Sequence, residues 1–214
     1  MNRSQRKPEG HRLFAALYDW LGAATERGWL GERRSRLLSG AYGEVLEIGG
    51  GTGANLPHYH AAERVVVTEP DPFMREKLRP KLSQAHVPVE VSDAGAQELP
   101  FEDDSFDAVV STLVLCTVPD QRTALAEVRR VLHPGGTLLF MEHVQGEGSV
   151  TRWQGRLEPF WMRLFAGCHP NRNTGANVEA AGFRLESFEH FKPPVPLSGF
   201  VPFVQGTAKA PADS

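Results

Sequence analysis

Residues Val45-Leu46-Glu47-Ile48 run directly into Gly49-Gly50-Gly51-Thr52-Gly53, so an apolar strand empties into a turn that is almost all glycine. Such a turn lets backbone approach a ligand closely, because side chains would otherwise occupy that space, and it tolerates positive φ. The chain is thereby constrained to a fold in which a buried strand delivers its carboxyl end to a ligand. The neighbouring sequence agrees. Residues 65–68, 87–91, 108–111 and 137–142 form further short apolar runs, with helical stretches at 72–82 and 121–132 between them. The second helical stretch ends in the stop signal His133-Pro134-Gly135-Gly136. Strand and helix in alternation imply an α/β fold, a doubly wound and mostly parallel sheet with helices on both faces. Beyond Glu142 the rhythm breaks into a Trp- and Phe-rich segment at 153–165, then Gly167-Cys168-His169-Pro170-Asn171-Arg172 and a helix near 177–181. Strand-like stretches return at 184–191 and 203–210.

Ahead of the alternating region, Leu13, Phe14, Leu17, Trp20 and Leu21 recur at helical spacing. Leu30, Leu37 and Leu38 do so again among arginines, giving two short amphipathic helices. Residues 1–42 are accordingly expected as a helical cap, which either covers a sheet edge or reaches the site. The arginine-rich stretch 27–36 reads as a solvated helix face. Residues 43–214 are expected as one domain, with an insertion at about 144–176 after the fifth strand.

The 214 residues carry 23 Lys plus Arg against 26 Asp plus Glu, and this slightly acidic balance argues against the phosphate backbone of nucleic acid as main partner. Two cysteines, Cys116 and Cys168, are too few for a disulfide scaffold and too far apart for a CxxC unit. His58 and His60 lack further ligands nearby and read as exposed loop residues. No run reaches a membrane span and no signal peptide opens the chain, so a cytoplasmic protein is expected. The oligomeric state is open.

Glu69 follows the second apolar run, 20 residues after Gly49. A carboxylate there can accept hydrogen bonds from the ribose hydroxyls of an adenosine-containing cofactor. These two features do not choose the cofactor, since Gly49-x-Gly51-x-x-Ala54 also satisfies the permissive dinucleotide fingerprint of nicotinamide oxidoreductases.

Later motifs separate the readings. Glu47, Gly49, Gly51 and Gly53 match an E/D-x-G-x-G-x-G strand end; Asp93, Ala94 and Leu99-Pro100-Phe101 match a third-strand signature; Asp104-Ser105-Phe106-Asp107 and Leu132-His133-Pro134-Gly135-Gly136 come next in order. In these motifs the chain resembles the class I S-adenosylmethionine-dependent methyltransferases of the small-molecule type. The resemblance implies a seven-stranded, Rossmann-like sheet, S-adenosylmethionine as methyl donor, S-adenosylhomocysteine as product and no metal. It places Glu47 near the methionine amino group, Glu69 with Pro70 at the ribose, and Asp93 with Ala94 at the adenine. Thr112 and Leu113 fall at the methionine and methyl end. Tyr18 matches a tyrosine that closes over the cofactor, with core packing as the alternative.

Residues 45–209 resemble more closely the methyltransferase-like group that includes the mammalian thiol methyltransferases. The similarity runs through Ser111-Thr112-Leu113-Val114-Leu115-Cys116, Phe140-Met141-Glu142-His143-Val144, Glu158-Pro159-Phe160-Trp161 and the Gly167-to-Arg172 stretch. It implies a small-molecule methyl acceptor, with a small thiol favoured. Alternatives are N-, O- or C-methylation of a lipid amine, quinone-like or natural-product acceptor, or an inactive cofactor-binding regulatory module. His143 is the candidate catalytic group, as base or acceptor-orienting residue, with a purely structural histidine as the rival. Trp161, His169 and Arg172 are candidate acceptor-pocket residues. Cys168 reads as a packing cysteine, and Trp153, Trp161 and Phe165 as an apolar wall.

Overall fold

The computed structural model describes residues 25–194 and 201–212. Tyr18 and the first expected helix lie outside the described residues.

The seven-stranded sheet has the order β3-β2-β1-β4-β5-β7-β6. β1 (Tyr42–Ile48) lies parallel between β2 (Ala61–Thr68) and β4 (Phe106–Thr112), with β3 (Val89–Ser92) outside β2 and β5 (Leu132–His143) beside β4. β7 (Phe203–Lys209) runs antiparallel between β5 and β6 (Arg184–Phe191). Alternate residues of the central strands supply two cores, one on each face. Leu46, Ile48, Val109, Leu138 and Phe140 join one cluster, and Val45, Ala108, Val110, Leu139 and Met141 the other. Successive side chains of a strand point to opposite faces, which is why these runs are almost continuously apolar.

Among the described residues five α-helices flank the sheet: α1 (Trp29–Leu38), α2 (Pro72–Leu78), α3 (Gln121–Val131), α4 (Ser149–Leu164) and α5 (Thr174–Ala180). Asp71, Asp120 and Asn173 cap α2, α3 and α5 by accepting backbone N–H groups of the first turn. Several boundaries differ from expectation, β1 and β2 beginning earlier at Tyr42 and Ala61, and three have a local cause. α2 stops at Leu78 and continues as a 3-10 segment, Arg79–Gln84, because Pro80 has no N–H to give to the carbonyl of Glu76. α5 begins at Thr174 where its Asn173 cap sets it. β5 begins at Leu132, which pairs with Phe106 ahead of the glycines.

α4 carries most of the expected aromatic wall, yet it packs differently. Its buried residue is Gln154, whose amide donates to the carbonyls of Val144 and Pro170 and accepts from the Gly146 N–H. Trp161 stacks on Phe165 at 4.1 Å, whereas Trp153 turns outward. Trp153, Leu157, Phe160 and Leu164, on one helical face, are 48–65% exposed. Among the described residues no helix is long and apolar enough to cross a membrane.

Candidate active site

Ligands of open α/β sheets bind at the carboxyl ends of the strands. Ile48 stands level with Thr68 and Ser111, and Thr68 with Ser92. The next residue on each strand is Asp93, Glu69, Gly49 or Thr112, so these four form a row in that order. At about 4.8 Å per strand the row spans about 14 Å, room for an elongated ligand.

The glycines of the turn differ in what they are for. A Cβ at Gly49 would meet Val114 at 2.6 Å, one at Gly50 would meet Val67 at 2.2 Å, and one at Gly53 would meet Leu56 at 2.8 Å. These three keep the turn tight against its own core. Gly51, at φ 56°, has nothing within 4 Å of a built Cβ; its side-chain direction opens onto free space in front of the row. Beside it the Glu69 carboxylate, 7% exposed, accepts the N–H groups of Gly51 and Asp71, each at 2.8 Å. Pro70 lies inside that short bridge. Each oxygen keeps a further lone pair for hydroxyl donors. Burial pushes the Glu69 carboxyl above its ordinary value, with the two N–H groups opposing. Asp93 is exposed, Ala94 half-buried, and Gly95 faces open space. An adenosine-bearing ligand fits this cradle: acceptors at two strand ends and a bare backbone between.

Glu47 does something other than face the ligand alone. It is buried beneath the turn, accepting from the Asn55 amide at 2.9 Å and from the Tyr59 hydroxyl at 2.8 Å. Desolvation raises its pKa, with those two hydrogen bonds opposing. The Asn55 amide also donates to the Thr112 hydroxyl, while Arg34 donates to the Asn55 carbonyl and to Thr112, both at 2.8 Å. Arg34 is 2% exposed and ion-paired with Glu26 at 3.0 Å. The expectation of a solvated arginine face is therefore corrected at Arg34. It lies one turn from Leu30 and from Leu37 and Leu38, within the apolar stripe of α1, and that position was the available signal. Arg33, by contrast, pairs with Glu189 and covers the Phe191 ring at 3.7 Å.

Beyond Thr112 the strand turns at Leu113, whose φ of 62° is rare for a bulky residue. Glu142, fully buried, fixes the loop that this turn begins. One oxygen accepts the Ser111 hydroxyl at 2.6 Å and the N–H groups of Val114 and Leu115; the other accepts the Cys116 N–H at 3.1 Å. Burial raises its pKa against these four donors. The motifs read from the sequence left Glu142 without a role. A carboxylate within an apolar strand was its only mark.

This loop places Cys116 against His143 and Cys168, from the end of β5 and the segment after α4. His143 Nδ1 lies 3.8 Å from the Cys116 sulfur and 3.3 Å from that of Cys168, and its ring meets the edge of Phe203. The Cys168 thiol is lowered to about 4, first by the Cys116 thiol and then by His143; the Cys116 thiol is correspondingly raised. Cys168, buried at 3% exposure, thus packs against a ring nitrogen and a second sulfur. Arg172 lies beneath the same loop. Its guanidinium donates to the carbonyls of Leu115, Val118 and Pro119, clamping the Glu142-held loop. His169 pairs through Nδ1 with Glu158 at 2.7 Å, and its backbone N–H bonds the Cys116 carbonyl. A separate cleft of about 390 Å³ includes Arg122, Arg129, Arg130 and Pro134 in its lining and lies at the opposite, amino end of the strands.

Residues 46–140, the span of the glycine turn and the row, match the family described as "Methyltransferase domain". The human thiol S-methyltransferase TMT1A is 38% identical over 169 residues, covering 77% of this chain and 69% of the relative. Human thiol S-methyltransferase TMT1B is 39% identical over 178 residues, covering 80% and 73%. The chain belongs to this methyltransferase family. It is an S-adenosylmethionine-dependent enzyme that methylates a small-molecule acceptor. The N-methyltransferase NodS from Bradyrhizobium japonicum WM9, solved with S-adenosylhomocysteine, shares the methyltransferase's fold with a TM-score of 0.64 at 18% identity, over 85% of this chain and 87% of that one. The nicotinamide and non-catalytic readings of the sequence fall away.

Proposed function

We propose that this methyltransferase transfers the methyl group to the sulfur of a small, fairly apolar thiol. The observation that carries the reading is His143, which stands two residues beyond Met141, the β5 partner of Thr112, and so next to the expected methyl end of the row. S-adenosylmethionine supplies an electrophilic methyl on a sulfonium. Glu69 holds its ribose side, Asp93 its adenine side, and Gly51 admits it to bare backbone. Thr112, fixed by Arg34 and Asn55, and Leu113 hold the methionine end, with Glu47 setting the turn from below.

Little proton-abstracting power is needed from the protein, because a free thiol of pKa about 8.5 is already a few per cent thiolate near neutrality. His143 presents Nδ1 to the two sulfurs, which leaves Nε2 as the nitrogen that orients the acceptor or takes its proton. Residues 144–176, with Trp161 and His169, form the acceptor side. Positioning and exclusion of water provide the rest of the acceleration for an in-line displacement. The half-exposed apolar face of α4 on that side favours, as a second reading, a lipid-like amine.

Calorimetric titration with S-adenosylhomocysteine, followed by product profiling on thiols, phenols and lipid amines, tests the proposal. Binding that weakens in Glu69→Ala and Asp93→Ala, with turnover confined to thiols, is the expected result. Turnover of amines or phenols in preference to every thiol would overturn the acceptor assignment.

A further inference from the structure

The Cys116, His143 and Cys168 side chains are brought together by three separate segments, 27 and 25 residues apart in sequence. Their sulfur and nitrogen atoms all lie within 4.8 Å of one another. Tetrahedral zinc with Zn–S of about 2.3 Å and Zn–N of about 2.05 Å separates a sulfur from a nitrogen ligand by about 3.6 Å. The two sulfur-to-nitrogen distances here, 3.3 and 3.8 Å, fall on either side of that value. We propose that Cys116, His143 and Cys168 form a binding site for a soft divalent cation of the zinc type, with its fourth position left for a thiol.

Several observations support a cation over a chance meeting of side chains. Both thiols are buried, at 0% and 3% exposure, while His143 is half-buried and opens the cluster on one side. Two thiolates around a divalent cation make a neutral group, so that burying it costs far less than burying either charge alone. The ligands are also held from behind. The Cys116 N–H is fixed by Glu142, the Cys116 carbonyl by the His169 N–H, and His143 rests against Phe203. Outer contacts of this kind orient ligands for a metal. Three protein ligands with an open fourth position are the arrangement of catalytic rather than structural zinc.

The role rests on the thiol-methylation reading. Binding the cation displaces the protons still carried by the two cysteines to solvent. An acceptor R–SH in the fourth position would release its proton to solvent, and its sulfur lone pair would form the S–CH3 bond as the methyl–sulfonium bond breaks onto the departing sulfur. His143 would act through Nδ1 as a ligand, leaving Nε2 as its outer nitrogen.

The test uses the full chain, fully reduced and freed of metal by a chelator, titrated with Co2+ and then displaced by Zn2+. One equivalent of Co2+ producing intense thiolate-to-metal charge-transfer absorption is expected, with the spectrum shifting when a small thiol is added. Cys116→Ser, Cys168→Ser and His143→Asn should each lower Zn2+ affinity by more than the roughly 10–100-fold that loss of an outer-shell partner costs, read by competition with a chromophoric chelator. S-adenosylhomocysteine titration of the same samples shows which variants are folded, and at least one of the three must retain it for the comparison. Normal S-adenosylhomocysteine binding with no charge-transfer band overturns the metal site and leaves the methyltransferase reading standing. So does a band that survives the Cys116→Ser/Cys168→Ser double variant. A reduced protein that ignores Co2+ but forms a Cys116–Cys168 disulfide in air also overturns it, in favour of a redox pair. Metal binding without S-adenosylhomocysteine binding would support the site and remove its link to methyl transfer.

Discussion

Adding one methyl group at Gly51 should separate cofactor binding from folding. A built Cβ there meets nothing within 4 Å, so no overlap opposes Gly51→Ala, and the strain of φ 56° is the main cost to the free protein. For an L-residue in the left-handed region that cost is about 1–2 kcal/mol, or a fall of about 2–8 °C in Tm for a chain of this size. The same methyl projects into the space that Glu69 and the bare turn leave for the cofactor. At a ligand concentration of about 100 Kd, S-adenosylhomocysteine stabilises the wild type by about 2.7 kcal/mol. A 100-fold loss of affinity leaves about 0.4 kcal/mol at that concentration, so the ligand-induced shift should shrink from about 5–11 °C to about 1 °C. Gly50→Ala is the counterpart. Its Cβ would sit 2.2 Å from Val67, and such overpacking costs about 1–3 kcal/mol or more before any ligand is added. Differential scanning fluorimetry with and without S-adenosylhomocysteine reads both. A Gly51→Ala protein with an undiminished ligand shift would refute the assignment of that open space to the cofactor.

Three further outcomes are expected. The folded pKa of Glu47 lies above its ordinary value of 4.5, so the native state holds the proton more tightly than the unfolded chain and stability falls as pH rises from 4.5 through the folded value; Glu47→Gln, whose amide Tyr59 can accept by reversing its hydroxyl, should flatten that slope in urea midpoints taken across pH, and coincident slopes would disprove the point. Arg34→Met leaves the buried Asn55 carbonyl without its donor and should cost about 1–3 kcal/mol in chemical denaturation, with weaker S-adenosylhomocysteine binding; a loss below about 0.5 kcal/mol would mean the network carries little. Arg172→Lys replaces a fork that serves three carbonyls with a single ammonium, so the acceptor KM should rise several-fold while S-adenosylhomocysteine affinity holds, and the reverse pattern in steady-state kinetics and calorimetry would place Arg172 on the cofactor side.

The half of the candidate site proposed for the cofactor was legible because its signals are local. An apolar run followed by glycines, and an acid one residue past the next strand, each announce a strand end within a few residues, and the register confirms that Glu69 and Asp93 are neighbours. The acceptor half was not legible in this way. Cys116 and Cys168 are 52 positions apart, and only the return of the chain after α4 makes them neighbours. Arg34 and Glu142 were hidden for a related reason. Each is a charge whose partners come from distant strands and loops, so local composition presents it as solvated or leaves it unremarked. Helix ends were readable where a cap or a proline marked them, as at Asp71 and Pro80, and shifted where the sheet decided, as at Leu132.

β6 bonds only to β7 among the described strands, and β7 is the one that bridges it to β5. On a ribosome, the chain therefore cannot close its sheet in the order in which it emerges. β6 must wait for its strand partner until Phe203–Lys209 has left the exit tunnel and slid in beside β5, although Phe188 already has Phe140 to meet and Phe191 has Trp29 and Arg33. The same late strand brings Phe203 against both Trp29 and the His143 ring. Synthesis thus delivers the strand ends proposed for the methyl donor first, and last the strand whose Phe203 backs the His143 ring.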